Sequence, residues 1–190
     1  QIRQEQVRRQ PRRPTVLANL PGLANVPESR IKGAEFQLNA FPLRGLRVSV
    51  GGTYLSSKVT DSFINSTILG AVADFEGDPF PYTPKYQLVA DGEYSVPLNG
   101  QLDGMVGFNA NYRGSTNAGF GGDDRLRIDS YTLVDARVGV GRSDQRWAAS
   151  LFVRNLFNEY HWNNVARLSD VVRRYAGQPR TYGIQFSVKY

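Results

Sequence analysis

The feature that most constrains this chain is a hydrophobic period of two residues that recurs along most of its length, broken by connections that are alternately short and long. From Leu46 the even positions Leu46, Val48, Val50 and Tyr54 are apolar, whereas Arg47, Ser49 and Thr53 between them are polar. Successive side chains of a strand point to opposite faces, so this reads as a strand whose two faces meet different surroundings. Ala34, Phe36, Leu38 and Ala40 alternate in the same way with Glu35, Gln37 and Asn39. The pattern returns at Tyr86, Leu88, Ala90, Tyr94 and Val96, at Leu102, Val106, Phe108, Ala110 and Tyr112, and at Val134, Ala136, Val138 and Val140. It is cleanest at Tyr182, Ile184, Phe186, Val188 and Tyr190, and mixed over 147–155, where Phe152 falls on the polar face. Seven strands are thus predicted, with residues 2–9 a weak eighth whose Ile2 and Val7 fall on opposite faces.

The connections are short at 42–45, 97–100 and 142–145, and long at 62–84, 114–128 and 158–179. A soluble sandwich has no reason to collect its long loops at one end. An outer-membrane barrel does, because its periplasmic turns are short, its extracellular loops are long, and its strands of ~10 residues alternate between lipid and lumen. The mean hydropathy of −0.40 fits, since only half of each strand is apolar. No stretch reaches the ~18 to 20 consecutive apolar residues of a spanning helix, which excludes a helical membrane protein.

Aromatic positions agree with a membrane. Tyr86 and Tyr94, and likewise Tyr182 and Tyr190, share a face eight residues apart; at a tilt of ~40° that is ~20 Å along the membrane normal, about the separation of two aromatic girdles. Tyr54 and Tyr112 fall at the expected outer ends of strands and Trp147 at an inner end. Aromatics are also common in strands of any kind; their joint placement is what points to girdles.

Other classes are removed by composition. With no cysteine and one histidine, the chain has no disulfides, no thiolate metal site, no cysteine nucleophile and no metal site built mainly on imidazole. The net charge of +6 is local: residues 1–14 hold five arginines against Glu5, a net of +4, leaving +2 for the other 176 residues. Nucleic-acid binding would have to rest on that arm alone, and none is expected. Asp123 and Asp124, adjacent in a glycine-rich loop, lack the ligand count of a calcium cage, so neither a metal nor a cofactor is expected. No phosphate loop, nucleophile elbow or paired carboxylates stand out.

Three segments carry a family resemblance. Asn155-Leu156-Phe157-Asn158, before Glu159 and Tyr160, resembles the segment that closes the penultimate strand of TonB-dependent outer-membrane receptors. Pro81-Tyr82-Thr83-Pro84-Lys85-Tyr86, preceded by Gly77-Asp78-Pro79, is similar to the start of a descending strand in that family. The terminus from Thr181 to Tyr190, with Gly183, Phe186, Val188 and Tyr190, resembles the segment read by the barrel-assembly machinery. With Arg30-Ile31-Lys32-Gly33-Ala34-Glu35, Gly45, Leu46 and Tyr54, the resemblance covers residues 25–190.

The resemblance implies an all-β fold: an antiparallel transmembrane barrel of 22 strands, of which this chain would supply the last seven or eight, without the N-terminal plug, TonB box or signal peptide. Residues 1–28 would be the weak strand and an extracellular loop, and residues 29–190 the seven strands. The whole receptor would sit in the bacterial outer membrane and import a scarce ligand, a ferric siderophore first among candidates, using energy from the TonB complex; it would not be an enzyme. Its partners would be the plug and earlier strands, the assembly machinery, outer-membrane lipid and the small-molecule ligand. Polar-face residues Glu35, Arg47, Asp91, Glu93, Arg113, Asp135 and Arg137 would line the lumen, most of them packing on the plug or pairing across strands. Ligand contacts are expected from Arg113, Tyr160, His161 and Trp162, with His161 otherwise a solvated loop residue. The alternative is a complete eight-stranded barrel with a structural or adhesion role, which needs a convincing first strand within residues 2–9.

Overall fold

A computed structural model describes residues 25–168 and 171–189. Its strands are β1 (Ser29–Leu43), β2 (Leu46–Val59), β3 (Ile64–Ser66), β4 (Val72–Asp74), β5 (Tyr86–Pro97), β6 (Leu102–Arg113), β7 (Thr116–Asn117), β8 (Arg127–Ile128), β9 (Tyr131–Arg142), β10 (Trp147–Arg154), β11 (Trp162–Leu168), β12 (Val171–Ala176) and β13 (Thr181–Val188). Seven of them form one sheet in the order β1-β2-β5-β6-β9-β10-β13, every pair antiparallel. All seven strands predicted from the sequence are present. The candidate strand at residues 2–9 lies outside the described residues, as does Tyr190.

The register explains why alternation had to persist from strand to strand. Leu38 stands opposite Val50, Val50 opposite Ala90, Ala90 opposite Ala110, and Ala110 opposite Val134. Val138 then meets Leu151, and Leu151 meets Ile184. A slip of one residue between any two strands would send apolar side chains to the polar face. The result is one continuous apolar face and one continuous polar face. A few large apolar side chains fall on the polar side, Val89 and Leu133 in the row of Asn111, and Phe152 on β10; Phe152 stands opposite Gly183, where an added Cβ would come within 2.6 Å of its ring, so glycine makes room for the ring to lie flat across the next strand.

The apolar face is not covered. Val138 and Leu151 lie on strands flanked on both sides, yet are 55% and 56% exposed, so their exposure is no edge effect. Burying such a side chain is worth ~1.5–3 kcal/mol, and a face of them standing in water would be a strong drive to associate. Among the described residues no helix is long and apolar enough to cross a membrane.

Two departures from the sequence reading have local causes. β1 runs through Pro42 to Leu43, so the first short turn is only Arg44 and Gly45; the register shifts between Ala40 and Leu43, and this irregularity accommodates a proline that cannot donate to a ladder. The long connections, expected as loops, contain three small hairpins: β3 with β4, β7 with β8, and β11 with β12. Among the described residues β1 and β13 do not pair, so the sheet is open. These strands do not form the small closed barrel of the alternative reading.

Candidate functional site

On the polar face the central charges form a row. Arg47 stands opposite Glu93, and Gly107 separates Glu93 from Arg137 in the register. With only hydrogen at Gly107, Arg137 reaches across β6 to pair with Glu93, whose other oxygen lies 3.7 Å from Arg47. The next row toward the long loops is Ser49, Asp91, Asn109 and Asp135. A concavity beside it is lined by Asp91, Asn109, Asp135, Arg137, Arg154 and Gln185, a surface of donors and acceptors suited to a polar occupant.

The long loops form the second half of the site, and they are packed together. Leu126 and Val165 are fully buried, with Ala118 and Ile128 nearly so, and Ile68, Leu69, Trp162 and Val172 pack around them. These residues come from all three long connections. A second cluster stacks Phe75 on Phe120 at 5.2 Å, with Phe63 and Phe80 edge-on at 5.9 Å to Phe120. Polar ties cross between the loops as well. The Tyr82 hydroxyl of the first lies 2.5 Å from the Val165 carbonyl and 2.7 Å from Asn164 Oδ1 of the third; burial raises its pKa, since the charged phenolate would lose its hydration there. Arg167 donates to the Ile68 carbonyl at 2.6 Å, Arg174 to the Arg125 carbonyl at 3.1 Å, and the Gly121 N–H to Asp78 at 2.6 Å.

Local carboxylates hold the loop turns. Asp74 accepts from the Ser62 hydroxyl and from the Glu76 and Phe63 N–H groups, which together lower its pKa. Asp123 caps the 3-10 turn over Asp124–Leu126, and the Arg125 guanidinium and N–H keep its carboxyl below the ordinary range. Among the described residues no three histidine, cysteine, aspartate or glutamate side chains gather as a metal site would require.

The candidate ligand residues are distributed unevenly. Arg113 ends β6 on the polar face, opposite Gln87 on one side and Tyr131 on the other, and its Nε is buried without a hydrogen-bond partner. Tyr131, which the sequence did not single out, packs its ring on His161 at 4.4 Å, so Arg113 and His161 meet through a tyrosine. His161 is 7% exposed, which corrects the expectation of a solvated histidine. Gly177 is the reason: its N–H bonds to the His161 carbonyl at 2.9 Å, and any side chain there would overlap the imidazole. Tyr160 and Trp162 turn away from His161 and meet each other edge-on at 5.0 Å; Tyr160 is exposed, and Trp162 carries Arg174 over its ring at 5.6 Å.

Among the described residues, the aromatic residues expected in girdles lie on the apolar face. Tyr54 and Tyr86 are a cross-strand pair with ring centroids 5.2 Å apart, and Tyr112 and Tyr182 lie toward the same end, opposite Leu88 and Val153. Tyr94 lies toward the short turns opposite Leu46, and so does Trp147, opposite Val188 with its ring 6.4 Å from that of Phe186. Gly183, Phe186 and Val188 all lie on β13, the last strand of the sheet.

An open antiparallel wall, apolar on one side and polar on the other, with loops gathered at one end, defines a segment of a transmembrane β-barrel. The sequence profile of the family described as "TonB dependent receptor-like, beta-barrel" matches residues 2–156, and the chain belongs to that family. Solved structures share the fold. The ferric yersiniabactin uptake receptor FyuA from Yersinia pestis aligns with 19% identity and a TM-score of 0.70 over 85% of this chain and 24% of its own. The siderophore receptor PiuA from Acinetobacter baumannii aligns with 22% identity and a TM-score of 0.62 over 83% and 21%. The ferripyoverdine receptor of the outer membrane of Pseudomonas aeruginosa, solved with ferripyoverdine bound, gives 21% identity and a TM-score of 0.59 over 83% and 19%. The chain thus spans about a quarter or less of the length of these receptors.

Proposed function

We propose that this chain is the C-terminal part of the barrel of an outer-membrane receptor that binds a scarce ligand, a ferric siderophore, and imports it with energy from the TonB complex, without catalysing a reaction. The observation that carries this reading is the pairing of a lipid-type face with a polar face whose outer end runs into packed loops. Such a wall encloses an aqueous path and offers it an entrance. Family membership and the siderophore receptors that share the fold support the same ligand class. In this reading the polar face borders the lumen and the plug, the long loops are extracellular, and Tyr54, Tyr86, Tyr112 and Tyr182 mark the outer interface, with Tyr94 and Trp147 at the inner one. Arg113, Tyr160, His161 and Trp162 would meet ligand, β13 would be read by the assembly machinery, and outer-membrane lipid would cover the apolar face.

The test is uptake of radioiron by a Gram-negative host stripped of its own siderophore receptors and expressing the protein at its natural length. A catecholate, a hydroxamate and a mixed-ligand ferric siderophore are supplied in turn, with and without TonB. Uptake of at least one that disappears without TonB is the expected result. No uptake of any, or uptake indifferent to TonB, contradicts the proposal.

A further inference from the structure

Asn155 occupies an unusual position. It follows the last residue of β10, has φ +49°, and is 5% exposed. Asparagine tolerates this left-handed region better than most side chains, but tolerance alone does not explain the burial of a primary amide. Its hydrogen bonds do. Nδ2 donates to the Glu159 carbonyl at 2.9 Å and to the Gln178 carbonyl at 3.1 Å, while Oδ1 accepts the Glu159 N–H at 2.8 Å. Both amide hydrogens and the amide oxygen are used, so the group is satisfied as a buried amide must be. Glu159 lies where the third long loop leaves the sheet and Gln178 where it returns, so a single side chain closes the neck of that loop.

The same residue is tied to the polar face. Its backbone N–H donates to Asp135 Oδ1 at 2.9 Å, and Asp135 borders the concavity that also contains Asp91 and Asn109. From Asn155 the contacts run outward: the Glu159 carbonyl that it binds lies 3.3 Å from His161 Nδ1, and the His161 ring rests on Tyr131. Glycine at this position would keep the backbone conformation but lose every side-chain bond. Aspartate would lose both donors, and glutamine would place its amide one carbon too far out.

We infer that Asn155 is a positioning residue for the loop segment Tyr160, His161 and Trp162, and that Asp135 anchors it to the polar wall. The inference rests on the receptor reading for what that segment binds, but not for the clamp itself.

Hydrogen exchange of the protein at its natural length in outer-membrane vesicles, followed by peptide mass spectrometry, tests the clamp without any ligand. Asn155→Gly, which keeps the left-handed backbone, should speed exchange about tenfold in peptides covering 156–162 and 177–180 and leave β9 and β10 peptides unchanged. Asp135→Ala should speed exchange mainly in 156–162, and Asp135→Asn, which keeps the accepting oxygen, should restore it toward the parent. Parent-like exchange in Asn155→Gly, or an equal rise in β9 and β10, overturns the inference. In the radioiron assay, Asn155→Gly should raise the half-saturating concentration of whichever ferric siderophore the parent takes up about tenfold at an unchanged maximal rate; an unchanged half-saturating concentration also overturns it. If the parent takes up none of the three, the transport reading fails while the exchange result stands.

Discussion

Val138 and Leu126 are both aliphatic residues at positions where the chain is well surrounded, yet Val138 is 55% exposed and Leu126 not at all. Val138 belongs to the wall, whose apolar face points away from the protein. Leu126 belongs to the loops, whose apolar side chains point at one another. The wall is stabilised by ladder hydrogen bonds and by a solvent that is itself apolar, so it needs no core. The loops stand where water is the solvent and must build a core, as any soluble domain does. One chain therefore follows two opposite burial rules, and the boundary between them falls near the outer ends of the long strands, at Val59, Tyr86 and Tyr131.

The comparison can be broken most severely at the loop core. Leu126→Ala should cost ~2–5 kcal/mol locally, seen as lost exchange protection in β7, β8 and β11 with the seven-stranded wall intact. Loss of protection in β6 and β9 as well would mean that wall and loops are one cooperative unit. A charge on the apolar face comes next: Leu151→Arg should destabilise the folded wall in a bilayer by ~2–4 kcal/mol, measured by refolding into lipid vesicles. In a soluble protein a residue so exposed would tolerate the change within ~0.5 kcal/mol.

Smaller effects belong to the polar face and the loop turns. Glu93→Gln removes both of its ion pairs, but Arg47 and Arg137 keep about half of their side-chain area exposed, so the expected cost is ~1 kcal/mol or less, read as a shift of the same refolding midpoint. Smallest is the pH response of the β3–β4 turn. Because Asp74 has a lowered pKa in the folded loop, its contribution is fully present above the ordinary carboxylate pKa of ~3.9 and is lost as pH falls through the folded value. Exchange at Phe63 and Glu76 should therefore quicken relative to its intrinsic rate below pH ~4, and Asp74→Asn should abolish that acid limb.

The wall was legible in the sequence because each of its strands keeps one environment per face for long enough to show a period of two. Two of the loop hairpins were not, because β7 and β8 have two residues each and β3 and β4 three, too few to display any period; β11 and β12 are longer, but their apolar and polar residues do not alternate. The loop core was hidden for a further reason: Leu126, Ile128 and Val165 are brought together by the wall that holds their loops side by side. Of the candidate site, Arg113, Tyr160, His161 and Trp162 were proposed from their places at strand ends. Tyr131 and the burial of His161 could not be, since they depend on Gly177, which is 16 residues from His161 in sequence. The motif containing Asn155 was visible, but one of its partners, Gln178, lies 23 residues away and makes sense only once the loop is closed.

The most direct test of the account is the solvent on each face of the wall. The chain has no cysteine, so a spin label can be placed on single cysteines introduced at Val138, Leu151 and Ile184 on one face and at Asn109 and Ser150 on the other, in the protein reconstituted in lipid. The account predicts that the first three labels are relaxed by dissolved oxygen and shielded from a water-soluble nickel complex, with the order reversed at Asn109 and Ser150. Nickel access at Val138 and Leu151 equal to that at Asn109 would contradict it.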